Sequence, residues 1–191
     1  MLTAALPEGP IAQKQEDDAH YKIWALLESV TDPEIPVVSL REMGILRAVK
    51  TIDADASHLQ VVLTPTYSGC PAIEHMENEV RTTLLQAGVN AEVVTQLAPA
   101  WSTDWMTEEA KNKLRAYGIA PPQTKACGSG HGAGSNVVQF SSKKFSAKPV
   151  VPCPQCNSEN TTETSHFGST ACKALYRCLN CMEPFDYFKP Y

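Results

Sequence analysis

The stretch CPQCNSENTTETSHFGSTACKALYRCLNC, residues 153–181, begins and ends with a pair of cysteines. The pairs are Cys153-Pro-Gln-Cys156 and Cys178-Leu-Asn-Cys181. Two residues between paired cysteines let the backbone turn beneath a metal, so that four thiolates reach the corners of a tetrahedron. The spacing therefore predicts a structural zinc site in a ribbon-like β module over residues 151–191. Four unrelated free thiols are the alternative interpretation, and an iron–sulfur cluster on the same thiols is the alternative cofactor.

Two further features of this C-terminal segment bear on its role. Cys172 falls outside the paired spacing, so we keep it as a candidate extra thiol. Residues 140–191 hold 8 of the 14 aromatic residues. So small a module has little core, and some of these rings must cover it. More aromatic rings follow the last cysteine than the module can readily bury, so we expect some of them to form an exposed docking surface. Its predicted members are Phe185, Tyr187, Phe188 and Tyr191, with Lys173, Arg177 and Lys189 facing an acidic partner.

The composition limits the class of protein. The 191 residues have room for one ordinary domain and a small one. The formal net charge of −5 argues against a nucleic-acid partner. No apolar run is long enough to cross a membrane, and the acidic N-terminal segment is unlike a secretion signal. Seven cysteines, four of them in a metal pattern, indicate a reducing cytoplasm.

Hydrophobic periodicity divides the rest of the chain into three parts. Residues 1–18 are predicted to be disordered, 19–120 to form an α+β domain, and 121–150 to be a flexible linker that includes Cys127 and His131, to which we assign no role. Within the domain the patterns predict helix, strand, strand, helix, strand and helix, a small helix–sheet sandwich. Their predicted ranges are 20–30, 45–52, 58–64, 71–87, 91–98 and 107–118.

Three residues in the first domain have candidate chemistry. Cys70 lies where a predicted strand leads into a predicted helix, and a helix N-terminus would lower its pKa and make it more reactive than Cys127. Asp32 and Glu34 flank Pro33 and offer paired carboxylates. Taken one at a time, a small buried thiol and an ordinary Asx turn explain these residues more simply.

Taken together, these motifs resemble a known family. Thr31-Asp-Pro-Glu-Ile-Pro36 and Thr64-Pro-Thr-Tyr-Ser-Gly-Cys-Pro-Ala72 resemble the iron–sulfur cluster assembly domain of SufT-like proteins. Further matching segments, together with the four-cysteine tail, resemble the D subunit of phenylacetyl-CoA epoxidase systems. These segments are Ser39-Leu-Arg-Glu-Met-Gly-Ile-Leu46, Trp105-Met-Thr-Glu-Glu109, Arg115-Ala-Tyr-Gly-Ile-Ala-Pro-Pro122, Phe167-Gly-Ser-Thr-Ala-Cys-Lys-Ala-Leu-Tyr176 and Glu183-Pro-Phe185.

The resemblance implies an accessory role in a ring-epoxidising, di-iron monooxygenase of phenylacetate degradation. It implies partners among the other epoxidase subunits, including the reductase, and transient iron or iron–sulfur cargo at Cys70, Asp32 and Glu34. The residues agree, because the chain has no Glu-x-x-His pairs of the kind that carry carboxylate-bridged di-iron sites in helical bundles, no dinucleotide fingerprint and no P-loop. A structural adaptor that docks through its aromatic tail, with Cys70 inert, is the alternative function. A zinc-ribbon nucleic-acid binder is a third, which the acidic composition disfavours.

Overall fold

The computed structural model describes residues 18–52, 59–123 and 150–191. Most of the predicted disordered segment and most of the predicted linker, with Cys127 and His131, lie outside the described residues, as does the predicted turn at residues 53–57. No helix in the described ranges combines the length and apolar character needed to span a bilayer.

The first domain has the predicted order of elements. Helices α1 (Asp18–Leu27), α2 (Ile73–Gln86) and α3 (Glu108–Ala116) accompany a three-stranded sheet. Its strands are β1 (Leu46–Thr51), β2 (Leu59–Leu63) and β3 (Ala91–Thr95). Strand β2 is central, antiparallel to β1 and parallel to β3. Helix α2 makes the crossover between the two parallel strands and buries Met76, Val80 and Leu84, as its predicted apolar face requires.

A close contact fixes the segment that leads into β1. Gly44 has φ +69°, and a Cβ built there would lie 2.6 Å from the carbonyl oxygen of Trp105. Only glycine combines that backbone conformation with so close a neighbour. The Arg47 guanidinium lies 3.6 Å from the centre of the Trp105 ring. Two of the segments that carry the family resemblance therefore pack against each other.

The C-terminal segment forms a second, four-stranded sheet in the order β4-β7-β6-β5. Strands β5 (Thr161–Ser165), β6 (Lys173–Cys178) and β7 (Pro184–Phe188) are successive antiparallel neighbours. Strand β4 (Ile119–Ala120) pairs in parallel with β7, through Ile119 with Asp186 and Ala120 with Tyr187. Residues 119–120, which the sequence assigns to the first domain, thus belong to the sheet of the ribbon. The overall class is α+β with a ribbon-like β module, as predicted.

The ribbon also supplies part of the first domain's core. Phe188 is 1% exposed and Cys172 is 6% exposed, and both belong to the same buried cluster as Leu27, Met43 and Leu63. The Trp101 ring meets the Phe188 ring edge-on at 6.0 Å and the Tyr191 ring at 6.3 Å. Its indole nitrogen donates to the Met43 carbonyl at 3.1 Å. The two modules are therefore packed against each other through an apolar interface.

Candidate metal and thiol sites

The four tail cysteines converge on one point. Their Sγ atoms all lie within 4.8 Å of one another, with Cys153 and Cys181 at 3.8 Å and Cys156 and Cys178 at 3.5 Å. A tetrahedron of metal–sulfur bonds of about 2.3 Å has edges of about 3.8 Å. The four thiols therefore fit a single tetrahedral ion and could hold one.

The backbone of each cysteine pair explains why the thiols converge. The residue directly after each pair has a positive φ, +59° at Asn157 and +68° at Met182, which turns the chain back under the site. The Sγ of Cys178 accepts from the backbone N–H groups of Asn180 at 3.4 Å and Cys181 at 3.5 Å. These hydrogen bonds, led by that from Cys181, lower the pKa of Cys178 to about 6. The neighbouring Cys181 accepts from the Glu183 N–H, which lowers its pKa, but burial and the adjacent thiols raise it to about 12. A low thiol pKa favours metal binding, because thiolate is the ligand form.

Asp32 holds the Asp-Pro-Glu turn together. Its Oδ1 accepts from the backbone N–H of Glu34 at 2.8 Å and of Ile35 at 2.9 Å. This is the Asx-turn geometry that the simpler interpretation of the sequence predicts. Burial raises the pKa of the Asp32 carboxyl, although the two N–H groups and nearby Lys173 oppose that rise. The carboxylate is thus both a turn residue and a half-buried charge.

Cys70 precedes helix α2 and is half-buried, and its pKa moves in the opposite direction from the prediction. Backbone N–H groups of Ala72 and Ile73 lower the pKa of its thiol, as a helix N-terminus should. Burial is the largest influence and raises it, and the Glu34 and Asp32 carboxylates raise it further. The net pKa is above that of an ordinary cysteine. The expectation of a lowered pKa is therefore wrong, because sequence spacing reveals neither the burial of Cys70 nor the two carboxylates that act on it.

Cys172, from the ribbon, is influenced by the same two carboxylates. Burial raises the pKa of its thiol, and Glu34 and Asp32 raise it further, while Thr170 and Lys173 lower it. The same pair of carboxylates thus acts on both Cys70 and Cys172. Tyr67 links the two thiols: burial, then Cys70, Cys172 and Glu34 in turn, raise its pKa to about 12. Sequence reasoning did not find Tyr67 as a member of this group, although it lies within the segment that singled out Cys70.

The predicted docking surface is largely inside the molecule. Phe185, Tyr187 and Phe188 are at most 5% exposed, whereas Tyr191 is 46% exposed. Phe185 and Tyr187 pack with Tyr176 in the ribbon core, at ring-centre distances of 5.9 and 5.3 Å. The prediction of four exposed rings is wrong for three of them. The ribbon's own core buries Phe185 and Tyr187, which is more than the prediction allowed for, and the first domain buries Phe188.

The predicted positive charges are also differently placed. Lys173 is 5% exposed, with its Nζ 3.7 Å from Asp186. Lys189 is 9% exposed and lies 4.5 Å from the Phe167 ring. Arg177 remains exposed. Two of the three cations therefore make internal contacts and do not face a partner. Deletion of residues 185–191 would also remove most of strand β7, so it would not test an exposed surface alone.

Comparison with known families matches both modules. Residues 21–95 match the family described as iron-sulfur cluster assembly protein. Residues 138–189 match the family described as PaaD zinc beta ribbon domain. The first match contains Asp32, Glu34 and Cys70, and the second contains Cys172 and the four converging thiols.

One curated relative covers nearly the whole chain. A protein of Escherichia coli (strain K12), named as the D subunit of 1,2-phenylacetyl-CoA epoxidase, is 46% identical over 170 residues, which are 88% of this chain and 92% of that protein. Among solved structures, a domain of unknown function (DUF59) from Bacillus anthracis has a TM-score of 0.44 and 30% identity, covering 49% of this chain and 88% of that one. A conserved hypothetical protein from Thermotoga maritima has a TM-score of 0.40 and 22% identity, covering 48% and 89%.

Proposed function

The chain belongs to the family of phenylacetyl-CoA epoxidase D subunits, and on that premise we propose that it is an accessory component of the epoxidase system. It assists the iron or iron–sulfur maturation of the oxygenase or of its reductase and has no reaction centre of its own. The match of its first domain to iron–sulfur assembly proteins supports this role.

The observation that carries the proposal is that the Asp32 and Glu34 carboxylates lie close enough to Cys70 to raise the pKa of its thiol beyond the effect of burial. The carboxylates come from the turn after α1, and the thiol comes from the turn after β2. Both carboxylates raise the pKa of the thiol, so the three groups act on one another. A soft thiolate beside hard oxygen ligands suits iron, which accepts both. Such a mixed set can accept the cargo and release it to a richer set of thiolates.

The raised pKa of Cys70 suits temporary binding. At neutral pH the thiol of the empty site holds its proton, and iron must displace that proton to bind. Proton competition lowers the affinity for the cargo below that of a site with ionised thiolates. A carrier needs this weaker hold, because it must give up what it binds.

The four-thiol centre has a different task. We assign it one structural zinc bound by Cys153, Cys156, Cys178 and Cys181. None of its Sγ–Sγ distances exceeds 4.8 Å, and two of them are 3.5 and 3.8 Å, which suits four thiolates on a single tetrahedral ion. Elemental analysis of anaerobically purified protein should give one zinc per chain. Visible iron–thiolate absorption with less than stoichiometric zinc would instead assign iron to the tail.

A maturation test in cells separates the carrier from the adaptor. Epoxidase subunits are purified from cells that supply this chain as wild type, Cys70→Ala or Cys127→Ala, and the iron of each subunit is measured. We expect Cys70→Ala to lower the iron content and activity of the oxygenase or the reductase, and Cys127→Ala to have no effect. Full iron content with Cys70→Ala would favour the adaptor function, in which the thiol is inert.

A further inference from the structure

Cys172 reaches the first domain although it belongs to the ribbon. It directly precedes strand β6, yet it is buried in the first domain's core cluster, against which Tyr67 and Cys70 also pack. The ribbon's own thiol centre uses four other cysteines. Cys172 is therefore the ribbon's thiol on the side that packs against the first domain.

Hydrogen bonds within the ribbon hold Cys172 in place, and one further bond ties this network to the first domain. Its carbonyl accepts from the Lys189 N–H at 2.9 Å, and its Sγ lies 3.0 Å from the Thr170 hydroxyl. The carbonyl of the preceding residue, Ala171, accepts from the Tyr191 hydroxyl at 3.2 Å. The Tyr191 carbonyl in turn accepts from the Thr103 N–H at 3.3 Å. The thiol is thus positioned by a chain of contacts that crosses the interface between the modules.

The surroundings of Cys172 are unusual for a cysteine that only fills space. A packing cysteine is expected among apolar groups, but Glu34, Asp32 and Lys173 are all close enough to shift its pKa. A cavity of about 770 Å³ runs beside the group and is lined by Tyr67, Ala171 and Tyr191 among others. Tyr67 lies three residues before Cys70, and Ala171 directly precedes Cys172, so the cavity reaches the two segments that carry these thiols.

We propose that Cys172 is the second thiol of the cargo site, so that Cys70 and Cys172, with Glu34 as oxygen donor, bind iron between the two modules. This inference rests on the proposed carrier function. It adds that the ribbon contributes one of the iron ligands. Each thiol that binds loses its proton to solvent and forms one sulfur–iron bond, and the iron keeps its oxidation state. Among described residues, only the tail cysteines form a group of three or more donors within 4.8 Å. The donors of the proposed cargo site are not in such a close group. On binding, the site therefore either contracts around one ion or holds a small iron–sulfur cluster, whose ligands are more widely spaced.

The test uses the full chain with its tail zinc verified by elemental analysis. Cobalt(II) is the probe, because thiolate-to-cobalt absorption reports the number of bound thiolates. We expect Cys70→Ala and Cys172→Ala each to halve this absorption at saturation and to weaken cobalt binding by at least about tenfold, since loss of even an outer-shell partner costs that much. Cys127→Ala is the matched control and should bind like wild type. A parallel titration with iron(II), with and without sulfide, distinguishes a single ion from a cluster by its spectrum.

A second measurement needs no substitution in the core. Wild-type protein is alkylated with and without cobalt, and each cysteine is followed by mass spectrometry. Protection of Cys70 and Cys172 together supports the two-thiol site. Protection of Cys70 alone, or wild-type affinity in Cys172→Ala, overturns it while leaving the carrier function intact. No cobalt uptake beyond the zinc also overturns the two-thiol site, and the iron content of epoxidase subunits from cells then decides the carrier function separately.

Discussion

Asp32 combines a structural contact with a charge, and two substitutions separate them. Asp32→Asn keeps an oxygen that can accept from the N–H groups of Glu34 and Ile35, whereas Asp32→Ala removes it. The folded-state pKa of Asp32 is raised, so ionising the carboxyl costs the native state free energy once the pH exceeds the ordinary aspartate pKa. We therefore expect Asp32→Asn to leave the free energy of unfolding at neutral pH unchanged or slightly higher, and Asp32→Ala to lower it by about 1 kcal/mol or more.

Iron binding provides a second measurement on the same residue. If the charge of Asp32 serves the cargo, Asp32→Asn should bind iron(II) more weakly than wild type while unfolding at the same denaturant concentration. Normal iron binding by Asp32→Asn would assign this residue to the turn alone.

The pH dependence of Cys70 alkylation follows from the direction of its pKa shift. The folded-state pKa is raised, so at pH 7 the thiolate fraction is smaller than in a free cysteine. The rate should start below that of a cysteine in a short peptide and should still be rising at a pH where the peptide rate has levelled off. For the same reason, the metal-free protein should lose stability as the pH rises through the interval between the unfolded and folded pKa values. A Cys70 rate that levels off at lower pH than the peptide would contradict the shift.

At the scale of elements, Gly44 marks where the segment before β1 meets the Trp105 turn. Gly44→Ala should lower the free energy of unfolding through two effects, a positive φ and an overlap with the Trp105 carbonyl. Gly88→Ala is the matched control, because Gly88 has φ +71° and nothing within 4 Å of an added Cβ. The control should cost about 1–2 kcal/mol from the backbone alone, and Gly44→Ala about 1–3 kcal/mol more. Equal losses for the two variants would show that the segment moves aside freely.

The elements also show which parts of the fold are visible in sequence. Helix α2 and strand β2 lie within one or two residues of their predicted ends, because an amphipathic repeat reports which side of an element is buried. Strand β4 was missed, since two residues are too few to display an alternation. The tail cysteines were found because their spacing is local. The influence of the same two carboxylates on Cys70 and Cys172 was not found, because it depends on how the two modules pack.

At the scale of the whole molecule, substitution of Phe188 tests how far the stability of each module depends on the other. Phe188→Ala should lower the free energy of unfolding by about 3–5 kcal/mol, because the ring fills the first domain's core from the ribbon. Phe167→Ala is the control from the same module, with a ring that is 64% exposed, and should cost about 1 kcal/mol or less. Denaturant unfolding followed by tryptophan fluorescence reports on the interface, because Trp101 contacts Phe188. Similar small losses for both variants would mean that the modules fold independently.

The position of Phe188 and Cys172 in the first domain's core has a consequence for biosynthesis. A ribosome makes the residues around Trp101 well before those of strands β6 and β7. Until then, the part of the first domain's core that Phe188 and Cys172 fill remains an exposed apolar surface. The core is completed only when the ribbon has been made and folded. A chain whose ribbon fails to fold then presents exposed apolar surface to the cell's quality-control machinery. Proteolysis of zinc-starved protein would remove defective carriers before they could take up iron.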